Sequence, residues 1–444
     1  MQALALSAAA VEAVGERSGE PGWMRERRRE AWRLYEALPL PDPASEAWRR
    51  TDISGLRLEE LRVPLNGAGP EHEKPEAAPP QVLAAALGAA EDRAGLLVQR
   101  DGQTMQAGLE EEAAAQGVLF LDLDQAASKA PELVRQHFLS LIRPDELKLR
   151  ALHAALRRGG TFLYVPPGVE VTRPLVSVSW VDTPGTLLAP HTLLVAGEGS
   201  RVTLVDLFAS AGMDAQTVVS GAVELVVGDG AQVRYVAFQD WGTNVWEFGL
   251  IRARLGRDAT LASLVAGFGG SLVKTDVESK LQGRGAQSEM LGLYFASDRQ
   301  HYDYHTLQEH LAAHTSSDLL YKGAVKDRGR TVFAGLIRVH PGAQKTNAFQ
   351  SNRNLLLNAG AKSDSIPKLE IMANDLRCTH GSATSRLNDE HLFYLMSRGL
   401  RRQQAVQMVV DGFFAEVLDR IPLEQLRQRV QEEIAGKIAE SSQG

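Results

Sequence analysis

The chain has 444 residues, of which 44% are apolar, and a formal charge of −7 from 48 Lys and Arg against 55 Asp and Glu. That length suits about three domains with a substantial core; the composition excludes a disordered chain, and the acidic balance argues against a general binder of nucleic acid or anionic membrane. The one cysteine, Cys378, excludes an internal disulfide and any all-thiolate metal site or four-cysteine cluster held by this chain alone, and points to a reducing compartment such as the cytoplasm.

Residues 1–14 are alanine-rich without the basic leader or cleavage site of a signal peptide, and no run approaches the ~18 apolar residues of a membrane span. Over 23–38, Trp23, Arg27, Trp32, Tyr35 and Leu38 fall at helical spacing among many arginines. Interleaved glutamates favour a helix that packs one face and turns its arginines to water, over a nucleic-acid patch. Residues 64–80 hold five prolines with Gly67 and Gly69, which reads as a linker or extended loop. After it, short apolar runs at 96–98 and 118–121 alternate with helical patterns over 131–142 and 146–158, so that 1–158 reads as a helical or α/β N-terminal region.

From about residue 161 the pattern changes to alternating segments such as Val223-x-Leu225-x-Val227 and Val233-x-Tyr235-x-Ala237, the mark of half-buried strands. Between them a turn recurs, at Gly197-x-Gly199, Gly228-x-Gly230, Gly256-x-Asp258, Gly283-x-Gly285, Asp327-x-Gly329 and Asn358-x-Gly360, with intervals of 31, 28, 27, 44 and 31 residues. Gly, Asn and Asp supply the positive φ that other residues resist. A period near 30 without intervening helices predicts a mainly β fold, a parallel β-helix (β-solenoid) over 159–386. Helices return over 387–444. Asn388 offers an N-cap and Gly399 a stop; Ala405, Met408, Val409, Phe413 and Val417 mark a second helix, and Leu423, Leu426, Val430, Ile434 and Ile438 a third.

Three constellations bear on chemistry. The 44-residue interval holds His301, Asp303, His305, His310 and His314. On a helix His310 and His314 would share a face; on a strand His301, Asp303 and His305 would align, and a histidine-dependent metalloenzyme is one reading. The loop 267–275 has Val273 where a phosphate cradle needs glycine before its lysine, which excludes nucleotide hydrolysis by this chain. Cys378 and His380 would share one strand face, a soft pair suited to iron, zinc or copper(I), but two ligands do not complete a site.

The segment Pro367-x-Leu369-Glu370-Ile371, Asn374-Asp375, Cys378-x-His380, Leu392-Phe393-Tyr394 and Ser397-Arg398-Gly399 closely resembles the SufB/SufD family of SUF-system iron–sulfur assembly proteins. The resemblance continues through 323–354 and 160–168, and more faintly at Trp23-Met24 and 117–122. Gly381 stands where SufB-like chains carry glutamate, and the strand around 202–208 lacks cysteine; both features resemble the SufD branch. The resemblance implies a right-handed β-helix with helical ends and a non-enzymatic scaffold that pairs with a SufB-like subunit and a SufC-like ABC ATPase. It implies a cluster-assembly role for Cys378 and His380, with His310 as a further candidate. It also implies a docking surface for the ATPase at Leu392, Phe393, Tyr394, Arg398 and Gly399. No cofactor would be held by the chain alone; iron or an iron–sulfur cluster would be shared transiently with the SufB-like partner. The alternative within the family is a SufB-like scaffold working as a homodimer.

Overall fold

The computed structural model describes residues 3–65, 92–421 and 424–439. Most of the proline-rich stretch at 64–80 lies outside the described residues, as does Leu423.

The alternating segments form a parallel β-solenoid of about eight turns. Successive strands pass alternately into two sheets, one of ten strands and one of eleven. The columns are in tight register: Val202 pairs with Val233, Val233 with Leu261, Leu261 with Ser288, Ser288 with Ser317, Ser317 with Ala348 and Ala348 with Cys378. Strands from the N-terminal region join the same sheets. Gly95–Arg100 runs parallel to Leu175–Val181 and antiparallel to Gln103–Leu109, and the four-residue strand Leu119–Asp122 is antiparallel to Thr161–Val165.

The 44-residue interval has a simple cause. The turns at 199, 230, 258 and 285 lie at one corner of the solenoid, whereas those at Asp327-x-Gly329 and Asn358-x-Gly360 lie at the opposite corner. The first corner continues at His314 (φ 60°) and Lys345 (φ 60°), restoring steps of 27 to 31 residues. Each corner residue donates its N–H to a carbonyl of the next turn: Gly199 to Asp229, Gly230 to Arg257, Asp258 to Arg284, Gly285 to Ala313, His314 to Gln344 and Lys345 to Asp375. That ladder sustains a left-handed backbone even where the residue is not glycine.

Both outer faces are covered. The helix Gly22–Ala37 and its neighbours Ala8–Arg17 and Lys148–Leu156 pack on the eleven-stranded sheet through Val14, Ala31, Trp32 and Leu152. One arginine departs from the expected solvent face. Arg28 is 2% exposed, paired with the buried Glu20 and donating to the carbonyls of Ala155 and Arg157. Pairing on every side is what makes a buried guanidinium tolerable. The helical pattern over 131–142 yields a shorter helix, Pro131–His137. Gly160 is fixed as glycine by its φ of +112° and by the His191 backbone, 2.0 Å from any added Cβ.

The C-terminal helices Asp389–Ser397, Arg402–Leu418 and Glu424–Ala439 pack on the ten-stranded sheet. Asn388 caps the first of them by accepting from the N–H groups of Glu390 and His391, and Gly399 ends it at φ +96°. The buried stripe of the second is Val406, Val410, Phe414 and Val417. Met408, expected in that stripe, is 52% exposed, because the core-facing row runs half a turn away from it.

Candidate functional site

The last solenoid turn consists of Lys362–Ile371 and Arg377–Arg386, each the terminal strand of its sheet. Cys378 lies beside Ala348, and His380 beside Gln350. The two-residue spacing puts both side chains on one face. That face is the inner one. Cys378 packs against Ile337, Val339, Ala343 and Ala348, and the Gln350 amide crosses the lumen to Gly335 of the opposite sheet, 2.4 Å from where a Cβ would stand.

Among the described residues no further strand covers this turn, so its inward side chains open to the outside. His380 is exposed and Cys378 half-buried. Burial pushes the Cys378 thiol up, with a hydrogen bond from the Ala348 backbone acting in the other direction. Burial thus favours the protonated thiol. Thiol and imidazole offer two soft ligands side by side, and among the described residues no group of three or more His, Cys, Asp or Glu could hold a metal ion.

The histidines of 301–314 serve three separate places. His310 is fully buried inside the solenoid, bonded through Nδ1 to Thr315 (2.8 Å) and through Nε2 to Ser317 (2.9 Å), and burial lowers its pKa to about 4. His310 pairs with Val339, which pairs with Ile371 of the terminal turn, so it sits two strands behind the opening. His314 is a corner residue, not a helical neighbour of His310. His301, Asp303 and His305 do align on the outer face, as a strand requires.

Charge among those three is already balanced. The Lys274 ammonium lies 2.7 Å from Asp303 and 3.2 Å from His305 Nε2, beneath the ring of Trp48. The Thr51 hydroxyl donates to Asp303 and accepts from His301 Nε2. Burial works against the Asp303 carboxylate, yet His305 and Lys274 hold it well below the usual carboxylate range; burial takes His301 down to about 4. This cluster ties the 48–51 segment to the solenoid. Nothing in the spacing of Trp48 and Thr51 announces it, since their contacts to Lys274, His301 and Asp303 join positions more than 200 residues apart, whereas Lys274 and Asp303 are register neighbours one solenoid period apart.

On the helix Asp389–Ser397, Leu392 is turned inward against the solenoid. Phe393 (74% exposed) and Tyr394 (57%) face out, with the Arg398 guanidinium 5.2 Å from the Tyr394 ring. Met396 on the same helix and Met408 on the next are also exposed.

Two further groups escape a reading by motif. The Gln350 amide is one, legible only as the residue one solenoid period before His380. The other is Glu247, inside the solenoid beside Trp241.

Residues 12–176 match the family model described as the SufBD protein N-terminal region, and residues 179–413 the one described as SUF system FeS cluster assembly, SufBD core domain. The chain is 30% identical over 433 residues to the iron–sulfur cluster assembly protein SufD of Bacillus subtilis, covering 96% of this chain and 97% of that one. It is 26% identical over 437 residues to SufB of the same organism, covering 96% and 93%. An iron–sulfur cluster assembly SufBD family protein of Staphylococcus epidermidis is 27% identical over 439 residues, covering 96% and 93%. No helix among the described residues is long and apolar enough to cross a membrane. A parallel solenoid with helices at both ends, a Cys-x-His pair in its last turn and matches along nearly the whole chain place this protein in the SufBD family of iron–sulfur cluster assembly proteins.

Proposed function

We propose that the chain is a SufD-like, non-enzymatic scaffold that pairs through the open solenoid end with a SufB-like chain and is engaged on its C-terminal helices by a SufC-like ABC ATPase, in the cytoplasm. The observation that carries this reading is a single thiol beside an imidazole in a turn whose outer edge has no strand partner among the described residues. An edge of that kind is a template for another chain, and a second chain would also bring the ligands that Cys378 and His380 lack. Iron, or the growing cluster, is then cargo held transiently between two subunits. Gly381 and the absence of cysteine from Arg201–Ser210 support the SufD-like role. Exposed Phe393, Tyr394, Met396 and Met408 support docking of the ATPase.

The test is cluster assembly in a complex reconstituted anaerobically with SufB-like and SufC-like partners. His380→Ala is expected to cut the yield of cluster while the three chains still co-purify. An unchanged yield removes the site from the proposal.

Identities of 26% to a SufB and 30% to a SufD also support a second reading, a SufB-like scaffold acting as a homodimer. Reconstitution of the isolated chain separates the two. A stable chromophore with stoichiometric iron and sulfide favours the SufB-like role, and none favours the SufD-like one.

A further inference from the structure

Beneath the helix Lys148–Leu156, a chain of titratable groups is sealed between the N-terminal layer and the eleven-stranded sheet. His153 is 3% exposed, and His191 and Glu224 are 0%. His153 Nδ1 lies 2.6 Å from the Ser220 carbonyl, His153 Nε2 3.0 Å from His191 Nδ1, and His191 Nε2 3.0 Å from Glu224 Oε2. All four ring nitrogens meet a polar partner, so the orientation of both rings is fixed. Glu224 also accepts from the backbone N–H groups of Leu139 and Leu141. Leu139 stands at φ 56°, a left-handed backbone that a bulky side chain resists, and the Glu224 carboxylate holds it there.

Each of the three contacts along the chain needs one hydrogen. A carbonyl and a carboxylate bring none, so the two rings and the carboxyl must carry three between them, whichever atoms hold them. In water at about pH 8 the same groups carry two, one on each neutral imidazole. With two, one contact would set lone pair against lone pair and the triad would be a buried negative charge, both of them costly. With three, the triad is neutral and every contact is made. Burial takes His153 well below its usual pKa, with His191, Arg157 and Arg28 acting in the same direction, which sends the third proton to the His191–Glu224 contact.

The charges around the triad have partners of their own. Arg28 and Arg157, near His153, pair with Glu20, and Arg157 also with Asp124. Near Glu224, its register neighbour Arg252 pairs with Glu146 and Glu278, Arg27 donates to the Phe138 carbonyl, and burial, then Arg254, lowers His137.

We infer that His153, His191 and Glu224 form a proton-loaded clasp: the chain takes up one proton from solvent as it folds, and that proton holds the 139–141 turn and the helix Lys148–Leu156 on the eleven-stranded sheet. The clasp is independent of the Cys378–His380 site and needs no partner chain. Because the unfolded chain binds one proton fewer, the attachment weakens as pH rises above about 7.

The test is urea unfolding of the full chain from pH 7 to pH 9, beside His191→Gln and His153→Gln. A glutamine amide brings two hydrogens of its own and can serve both contacts of the ring it replaces without a proton from solvent. The unfolding constant of the unsubstituted chain should rise about tenfold more per pH unit than that of either variant, which is the slope of one proton. Amide exchange at Leu139 and Leu141 in the unsubstituted chain should lose about tenfold in protection per pH unit after correction for the intrinsic rate. Parallel pH curves for the unsubstituted chain and a folded variant would overturn the inference. Constant protection at Leu139 and Leu141 would overturn it as well, and this measurement decides even where neither variant folds.

Discussion

Gly335 has no side chain because the amide of Gln350 occupies its place. An added methyl group would stand 2.4 Å from Gln350 Nε2. Gly335→Ala should therefore lower stability by about 1–3 kcal/mol through overpacking, read as a fall in Tm. Combining it with Gln350→Ala should restore part of the loss, and strictly additive losses would refute the contact. A second interior residue gives a pH signature. Glu247 accepts from Trp241 Nε1 at 2.7 Å and lines a cavity of about 40 Å³ beside Phe208, Val265 and Tyr304. Burial raises its carboxyl to about 7. Unfolded, it ionises near 4.3, so between that pH and 7 only the folded chain keeps the proton. Stability then falls as pH rises through this window, by up to about 3 kcal/mol. Glu247→Gln preserves an acceptor for Trp241 and removes the loss. Its Tm advantage over the unsubstituted chain should grow from pH 5 to pH 8 in thermal melts, and a constant difference would contradict it.

Among the elements, what was legible followed local chemistry. Alternation announced the strands, the Asn388 side chain announced a cap, and the two-residue step from Cys378 to His380 announced a shared face. The corner period was legible until residue 285 and then lost, because His314 and Lys345 adopt positive φ under the hydrogen bonds of the stacked turns rather than by intrinsic preference. The stripe of Arg402–Leu418 was half a turn out at Met408 because a helix carrying apolar residues on several sides does not declare which one packs. The long-range Thr51–Asp303–Lys274 cluster had no local signature at all. Packing also decides how docking of the ATPase is tested. Removing the C-terminal helices would bare Leu293, Phe295 and Leu320 beneath them, so loss of binding would be confounded with loss of fold. Phe393→Ser and Tyr394→Ser avoid this, because both side chains are exposed. They should leave Tm near its original value and weaken capture of a SufC-like ATPase about tenfold. Full capture by the double variant would exclude this surface.

At the scale of the whole molecule, the two ends of the solenoid differ. One begins with antiparallel pairings, Gln103–Leu109 on one sheet and the four-residue Leu119–Asp122 on the other. The opposite end stops in mid-pattern, with one ten-residue strand ending each sheet, each parallel to its neighbour in the preceding turn. A stack of identical turns is normally at risk of growing without limit, since each finished turn is a template for the next. Here the direction of the backbone reverses at the first end, so among the described residues the last turn is the one that ends with both sheets in the parallel direction of the stack. Polarity thus acts as a count. Two such ends that meet consume each other, and the product has no equivalent surface left from which to lengthen. Sedimentation of the concentrated chain should accordingly reveal pairs at most and no ladder of higher species; a filament would mean that the antiparallel end also pairs.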